Sequence, residues 1–452
     1  MKVISKQQTE AAAAAEDRID ESMLALRPSA LWRALRSQHF AFWCICVYLF
    51  WEYLKPEQNY PIFRILPFMR IALLGAIFGA FMDPRSRTPR SPFTWLLPLF
   101  MVHCIISAAL AYNSPHAFEK MDVVVLWVII FFLITTIVTT ERRLYLFVLV
   151  YFLANFKMSQ FGFFTWVHRG FGFASYGLTG EGWFANSGEL GLEMSMYFAY
   201  SVCFVFFLRR YWKFWAKLLM YFVPVSALSC VIASSSRGAL LGSIGILIFF
   251  SFFSKRRVAA WVGTSAVLGL GYFVMPPQFL ARFQSAGHDP TSLSRLAYWQ
   301  VCRDLMQAHP FFGIGYYNYV PYYRDHFFNP GLYWRVEEAH NTYLQMGAEL
   351  GYVGLGIFLV MVLVSLVMNW RSMSDTRNVE GGEFLTALGF GMCAAGIGLL
   401  VASTFLTAFF MPNYWIYFAF TVCLRNVVRK RVPALPKKMA PVRRHVNPAY
   451  GA

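Results

Sequence analysis

The stretch EEAHNTYLQMGAELGYVGLGIFLVMVLVSLVMN (Glu337–Asn369) decides the fold. Two acids, a histidine and an asparagine lead straight into a glycine-studded apolar run. From Thr342 to Asn369 that run has the length of a transmembrane helix, which needs about 17–25 mostly apolar residues. Eleven further stretches read the same way, near 39–54, 65–82, 93–112, 122–140, 143–158, 190–208, 216–233, 238–254, 258–275, 384–411 and 413–428, of which the first and fifth are short. The composition agrees. Of 452 residues, 58% are hydrophobic, 19% aromatic and only 14% charged, where a soluble domain carries roughly a quarter charged. The chain reads as an all-α polytopic integral membrane protein of about 12 transmembrane helices, with a large outside loop that contains amphipathic helices.

A formal net charge of +17 raises the question of nucleic acid, and its distribution answers it. With the N-terminus inside and the spans alternating, 28 of the 40 lysines and arginines fall inside, and 12 fall outside or at outer span ends. That asymmetry satisfies the positive-inside rule with both termini cytoplasmic. The clusters RSRTPR (85–90), RRYWKFWAK (209–217), SKRR (254–257) and VVRKRVPALPKK (427–438) are then orientation signals beside anionic membrane lipids, and no nucleic-acid partner is implied. The expected organisation is an N-terminal tail over 1–38, nine spans within 39–275, an outside loop over 276–341, three spans within 342–428 and a basic tail over 429–452. The segment TEAAAAAEDRIDESM reads as a polar tail, not a signal peptide. Most of the 8 cysteines lie in spans and only Cys302 lies clearly outside, so no disulfide framework or CxxC metal site is readable.

Two outside segments are long. One is QFGFFTWVHRGFGFASYGLTGEGWFANSGEL (160–190), rich in glycine and aromatics; the other runs from Pro276 to Glu338. Within the second, SRLAYWQVCRDLM spaces Leu296, Trp299 and Leu305 as an amphipathic helix, with Thr291 and Ser292 as N-cap signals and Pro310 as the stop. Tyr316, Tyr317, Tyr319, Tyr322, Tyr323 and Phe327 follow, as an aromatic belt at the membrane surface or as a sugar-stacking surface.

The titratable cluster at the mouth of the tenth span is the first candidate for chemistry. Asn341 and Thr342 begin that helix, so His340 sits at its N-terminus, where the helix dipole disfavours an imidazolium. A neutral imidazole is a competent general base, and Glu337 or Glu338 can accept its other ring N–H and fix the tautomer. Gly347, Gly351 and Gly354 form one small-residue face for a close-packed neighbouring helix. The alternative for His340 is an interfacial residue that only caps a helix. The second candidate is SSSRGALLG (Ser234–Gly242). Arg237 at a span edge calls for an anionic partner. The hydroxyls of Ser234, Ser235 and Ser236, with the free amides of the following helix, suit a phosphate; the alternative is a snorkelling arginine. Arg295 is a second possible phosphate ligand, with Arg282, Arg303, Arg324 and Arg335 competing for the role. No HExxH, P-loop, DxD or acidic pair at metal spacing is present, so neither a metal nor another cofactor is expected.

HNTYLQMGAELGYVGLG, the long outside loop before it and SSSRGALLG upstream together resemble the O-antigen ligase family of bacterial inner-membrane proteins. HPFFGIGYYNY (309–319) and GEGWFANSGELGLEM (180–194) are similar to it as well. The resemblance covers roughly 160–370. It implies a donor glycan carried on undecaprenyl diphosphate and an acceptor hydroxyl, foremost that of lipid A–core, joined at the periplasmic face without metal and with inversion. By motif position His340 matches the family's essential histidine, Arg237 its arginine after the serine run, and Arg295 its loop arginine. Ser234, Ser235, Ser236, Glu337, Glu338 and Asn341 are the expected substrate contacts around them. The acceptor stays open: a protein O-glycosylation ligase would use a side-chain hydroxyl, and an O-antigen polymerase a second lipid-linked glycan. A lipid-linked glycan transporter would need ionisable residues at mid-span facing a cavity, whereas the informative charges here crowd the outer edge.

The charge asymmetry makes a direct prediction. A cysteine placed at Lys437 should react with a membrane-impermeant thiol reagent only after the membrane is opened. Labelling from the periplasm of intact cells would reverse the orientation.

Overall fold

The computed structural model describes residues 17–88, 90–172, 177–254, 256–274, 284–285, 287–329 and 336–432. The N-terminal residues of the 1–38 tail, most of the 429–452 tail, Arg282 and Arg335 lie outside the described residues. Regular structure among those described is helical throughout. The main helices are α1 (Phe40–Leu54), α2 (Phe68–Met82), α3 (Phe93–Ala109), α4 (Met121–Ile137), α5 (Glu141–His168), α6 (Ser187–Leu208), α7 (Phe214–Ala233), α8 (Arg237–Phe253), α9 (Arg257–Val274), α10 (Pro290–Ala308), α11 (Tyr319–His326), α12 (Thr342–Thr376), α13 (Glu383–Ala402) and α14 (Pro412–Arg431). Each of the twelve apolar stretches falls on one of them, and α10 and α11 occupy the long loop. Among the described residues, six helical stretches are long and apolar enough to cross a membrane: Ser114–Ile137, which contains α4, and those of α5, α6, α7, α12 and α13. The apolar helices α1, α2, α3 and α8 are shorter.

Three boundaries differ from the sequence expectation. The fifth stretch, taken as 143–158, is part of a 28-residue helix. Lys157 and Gln160 end the apolar run, but the helix continues because its polar positions are used inward. Asn155 Nδ2 donates to the Tyr151 carbonyl at 3.0 Å, and the Ser159 hydroxyl lies 3.0 Å from that of Ser226 on α7. The eleventh stretch, taken to 411, stops being helical after Ala402, because the following residues bind the start of α12. In the loop, α10 is capped neither by Thr291 nor by Ser292. Asp289 is its N-cap, accepting from the Ser292 amide at 3.0 Å, and Pro290 holds the first helical position.

The centre of the bundle is α6 against α13, the two most enclosed spans. Packed against both, α8 crosses α13 so closely that a Cβ on Gly242 would meet the Gly398 carbonyl oxygen at 2.8 Å. The antiparallel order gathers many basic residues at one end of the bundle. There Arg143 and Asp83 form a buried ion pair at 2.5 Å, with Gln38 and the Ile137 carbonyl completing the guanidinium's bonds. Arg210–Glu383, Arg425–Asp375 and Arg431–Glu141 pair around it.

At the opposite end, α12 is broken. Gly351 has φ 69° and ψ −178°, a conformation that only glycine adopts readily. The break frees the carbonyls before it, and the HPFFGIG segment takes up two of them. The amides of Ile314 and Gly315 donate to Ala348 and Glu349 at 2.9 and 3.1 Å, and the Tyr352 amide donates back to Pro310 at 2.7 Å. From α3, the Ser107 hydroxyl donates to the Glu349 carbonyl at 3.1 Å, and His103 Nε2 lies 2.8 Å from that of Leu350. Irregular backbone at such a position survives only when protein buries and satisfies it. The three glycines therefore do not form one face for one neighbouring helix. Gly347 admits Met306 of α10, Gly351 makes the break, and Gly354 admits His103 of α3.

A Cβ on Gly351 would meet the Phe311 carbonyl carbon at 2.5 Å, whereas one on Gly356 would meet nothing within 4 Å. Gly351→Ala is expected to lower stability by about 2 kcal/mol or more and to depress the melting temperature in detergent. Gly356→Ala should leave it unchanged or slightly raised.

Candidate active site

Four helices begin around one cavity of about 370 Å³. Its wall takes Asn186, Ser187 and Gly188 from the start of α6, and Ser235, Ser236, Arg237 and Gly238 from the start of α8. Asp289, Pro290, Thr291 and Arg295 come from α10, and His340 from the turn before α12, while Phe405 and Leu406 close one side. A helix N-terminus carries partial positive charge and unpaired amides. Four of them facing one space make it attractive to anions before any side chain is counted.

Arg237 is the first residue of α8. Ser236 caps that helix by accepting from the Ala239 amide at 3.3 Å, and Ser235 takes a left-handed φ of 55° to turn the chain into it. Arg237 Nη1 lies 3.3 Å from Asp289 Oδ2, and Nη2 donates to the Ser292 hydroxyl at 3.3 Å. Arg295 stands on the second turn of α10. Its Nε is buried without a hydrogen-bond partner. Burial, then the nearby charge of Arg237, push the Arg295 pKa down, while Glu337 and Asp289 pull it back. Burial alone would raise the Asp289 carboxyl, but hydrogen bonds from Ser292 and the charge of Arg237 outweigh it and hold Asp289 below the usual carboxylate range.

His340 is fixed by its neighbours. Its own φ is 50°, an uncommon conformation for a non-glycine residue. On one side, the indole of Trp299, one turn along α10 from Arg295, donates to the Ala339 carbonyl at 2.9 Å, and the Ala339 amide donates to Gln345 at 2.9 Å. On the other side, the Thr342 amide donates to the carbonyls of Ser403 and Leu406 at 2.9 and 3.1 Å, and its hydroxyl donates to Leu406 at 2.6 Å. The imidazole Nε2 lies 3.4 Å from Glu337 Oε2. Ser235 and His340 thus hold positive φ on one cavity wall, where stored backbone strain commonly accompanies function.

The expected site residues separate into two groups. Arg237, Arg295, His340, Ser235 and Ser236 line the cavity together, and Glu337 contacts it through His340. Ser234 faces away: its hydroxyl donates to Val231 at 2.7 Å inside α7. Asn341 is occupied as the N-cap of α12, accepting from the amides of Tyr343 and Leu344 at 3.1 and 3.0 Å. Glu338 turns toward Thr407, and burial pushes its carboxyl up to about 7. Arg303 and Arg324 bond to Gln300 and Asp325 elsewhere. The tyrosine series is neither a belt nor a sugar surface as a whole, because Tyr316, Tyr319 and Tyr323 are no more than 2% exposed and belong to the core.

Asp289 and the Asn186–Gly188 turn were missed. The Asp-Pro pair, an N-cap followed by a first-position proline, carries the signal for Asp289; Phe405 and Leu406 carry none. Acids buried inside helices were also missed, Glu52, Glu193 and Glu349 among them. Glu193 accepts from Tyr151 and Asn413, each at 2.6 Å, and Glu349 accepts from the Tyr319 amide at 3.1 Å. Both are fully engaged and line neither of the sizeable cavities. A larger cavity of about 810 Å³ lies on the flank between α1 and α5, lined mostly by apolar groups such as Phe50, Trp51, Leu153 and Phe161. It holds no arginine or histidine, so transfer chemistry is better served by the smaller, cationic one.

Residues 222–359, which include Arg237, Arg295 and His340, match the family model described as O-antigen ligase. The chain carries an O-antigen ligase domain. Residues 31–210 match a model for a family of unknown function, and no curated protein matches the chain. The match to O-antigen ligases over this segment and the long apolar helices together fit a bacterial membrane protein. A cavity lined by two arginines and by helix N-termini suits an anionic ligand.

Arg295 tests the anion site without any transfer assay. Arg295→Met removes a charge that burial and the neighbouring Arg237 disfavour and whose Nε has no hydrogen-bond partner. Its melting temperature is expected to equal or exceed that of the unchanged protein. Inorganic pyrophosphate should raise the melting temperature of the unchanged protein and fail to do so for Arg295→Met.

Proposed function

We propose that the protein transfers a glycan from undecaprenyl diphosphate to an acceptor hydroxyl, that of lipid A–core, at the periplasmic face of the inner membrane. The observation that carries this is the convergence of Arg237, Arg295 and His340 on one cavity bounded by helix N-termini. The donor is already activated, since its anomeric carbon bears a diphosphate leaving group. The acceptor oxygen attacks that carbon from the side opposite the diphosphate, the glycosidic C–O bond to phosphate breaks, and its electron pair leaves on the diphosphate. The acceptor proton passes to His340. One direct displacement inverts the anomeric configuration.

Each residue has a part in that sequence. Arg237 and Arg295 offer fixed positive charge where negative charge accumulates, which is the most effective form of transition-state stabilisation. A guanidinium also matches phosphate oxygens in a fork. In the tautomer that donates Nε2–H to Glu337, the lone pair stays on Nδ1, and Nδ1 accepts the proton. Ser235, with a buried hydroxyl that has no partner, suits a phosphate oxygen. The placement of Arg210, Arg425 and Arg431 at the end away from the cavity supports a periplasmic site through the positive-inside rule.

The test is reconstitution of purified protein with a labelled undecaprenyl-diphosphate glycan and lipid A–core, followed by mass analysis for a heavier lipid product. His340→Gln keeps size but no useful basicity and is expected to lower turnover by about 10²–10⁴-fold. Arg237→Ala should weaken use of the donor more than of the acceptor, and Arg237→Lys should rescue it only in part. Because the two guanidiniums supply the charge stabilisation, EDTA is expected to change nothing. A well-folded His340→Gln variant with full turnover would remove the base from this mechanism.

A further inference from the structure

Asp289 is out of place in an anion site. It caps α10 through Oδ1, but serine, threonine or asparagine would cap equally well. Its charge should repel the diphosphate that the rest of the cavity is built to attract. The second carboxylate oxygen, Oδ2, accepts from the Ser292 hydroxyl and lies 3.3 Å from Arg237 Nη1. A carboxylate oxygen therefore already sits on the guanidinium face that a phosphate oxygen would use, inside the same cavity as Arg295.

Transfer changes the charge of the bound group. In the donor, both phosphates are esterified. When the glycosidic C–O bond breaks, the product is a diphosphate monoester whose terminal phosphate, no longer esterified, gains negative charge. Two arginines and four helix N-termini then hold the product more tightly than the substrate. A site with no internal competitor would be trapped by its own product. On the basis of the donor site proposed above, we propose that Asp289 is a displaceable counter-charge: it neutralises Arg237 in the empty site, yields the guanidinium to the incoming diphosphate, and competes for it again as the product leaves. Asp289 is a positioning residue in this scheme; no bond to it forms or breaks.

Asp289→Asn separates the two roles, because asparagine keeps the capping oxygen and loses the charge. The readout is inhibition of glycan transfer by added undecaprenyl diphosphate, with turnover and donor KM measured separately. Removing one charge a few ångströms from the phosphate, in a half-exposed site, is expected to tighten product inhibition about tenfold. Donor KM should fall with it, and turnover should fall because release becomes limiting. Asp289→Ser, another uncharged cap, should behave alike and guards against a folding defect peculiar to asparagine. If undecaprenyl diphosphate does not compete with the donor in the unchanged protein, the donor site itself is wrong. If it competes there but the Asp289 variants bind it equally or more weakly, the site stands and Asp289 is only a cap and a prop for Arg237.

Discussion

Two guanidinium groups and four helix N-termini face one small cavity, and like charges brought together in such a space repel. Everything nearby answers that repulsion. Asp289 lends a carboxylate to Arg237, Glu337 offsets Arg295 at longer range, and the Arg295 charge is disfavoured all the same. A guanidinium at the first position of α8 also opposes the helix dipole, an arrangement that lowers stability. Held without an anion, these groups oppose folding; with one, the same groups reinforce each other.

Holding the charges together requires a rigid frame, and most of that frame lies outside the cavity. The indole of Trp299 ties α10 to the Ala339 carbonyl, so the spacing between Arg295 and His340 is set by a hydrogen bond that neither residue makes. The Thr342 amide and hydroxyl tie the same turn to the end of α13. HPFFGIG closes the third side by pairing with the carbonyls freed at Gly351. The turn that carries His340 is thus held by the long loop, by a neighbouring helix and by its own helix at once.

The helices were legible because each apolar run is long relative to a turn of helix, and runs of that length have few other structures open to them. Arg237 and His340 were legible as separate anomalies, polar groups at the edges of apolar runs, and Arg295 only as one of several loop arginines, singled out by motif position. Their meeting was not, because it depends on backbone contacts that side-chain patterns do not encode. Gly351 shows the limit well. In sequence it is one of three glycines at helical spacing; in the fold it breaks the helix while its two neighbours in the series merely make room. Ser234 and Asn341 mark the opposite error. Both are polar residues beside the site whose hydrogen bonds go to nearby backbone. The tyrosines of 316–323 failed as a group because aromatic composition cannot separate a surface from a core when the segment is long enough to have both.

The break at Gly351 divides α12 into unequal parts. The longer part, from Tyr352 to Thr376, extends about 37 Å at 1.5 Å per residue, close to the thickness of a bilayer's apolar core with its near edge. The shorter part, Thr342 to Leu350, belongs mechanically to the loop and to α3, to which its carbonyls are bonded. Spanning helices tilt to match the thickness of the bilayer around them. A helix that carried His340 on an unbroken lever would swing it across the cavity whenever lipid composition changed. With the lever cut at a glycine, tilt of the longer part is not passed on to His340 through continuous helix.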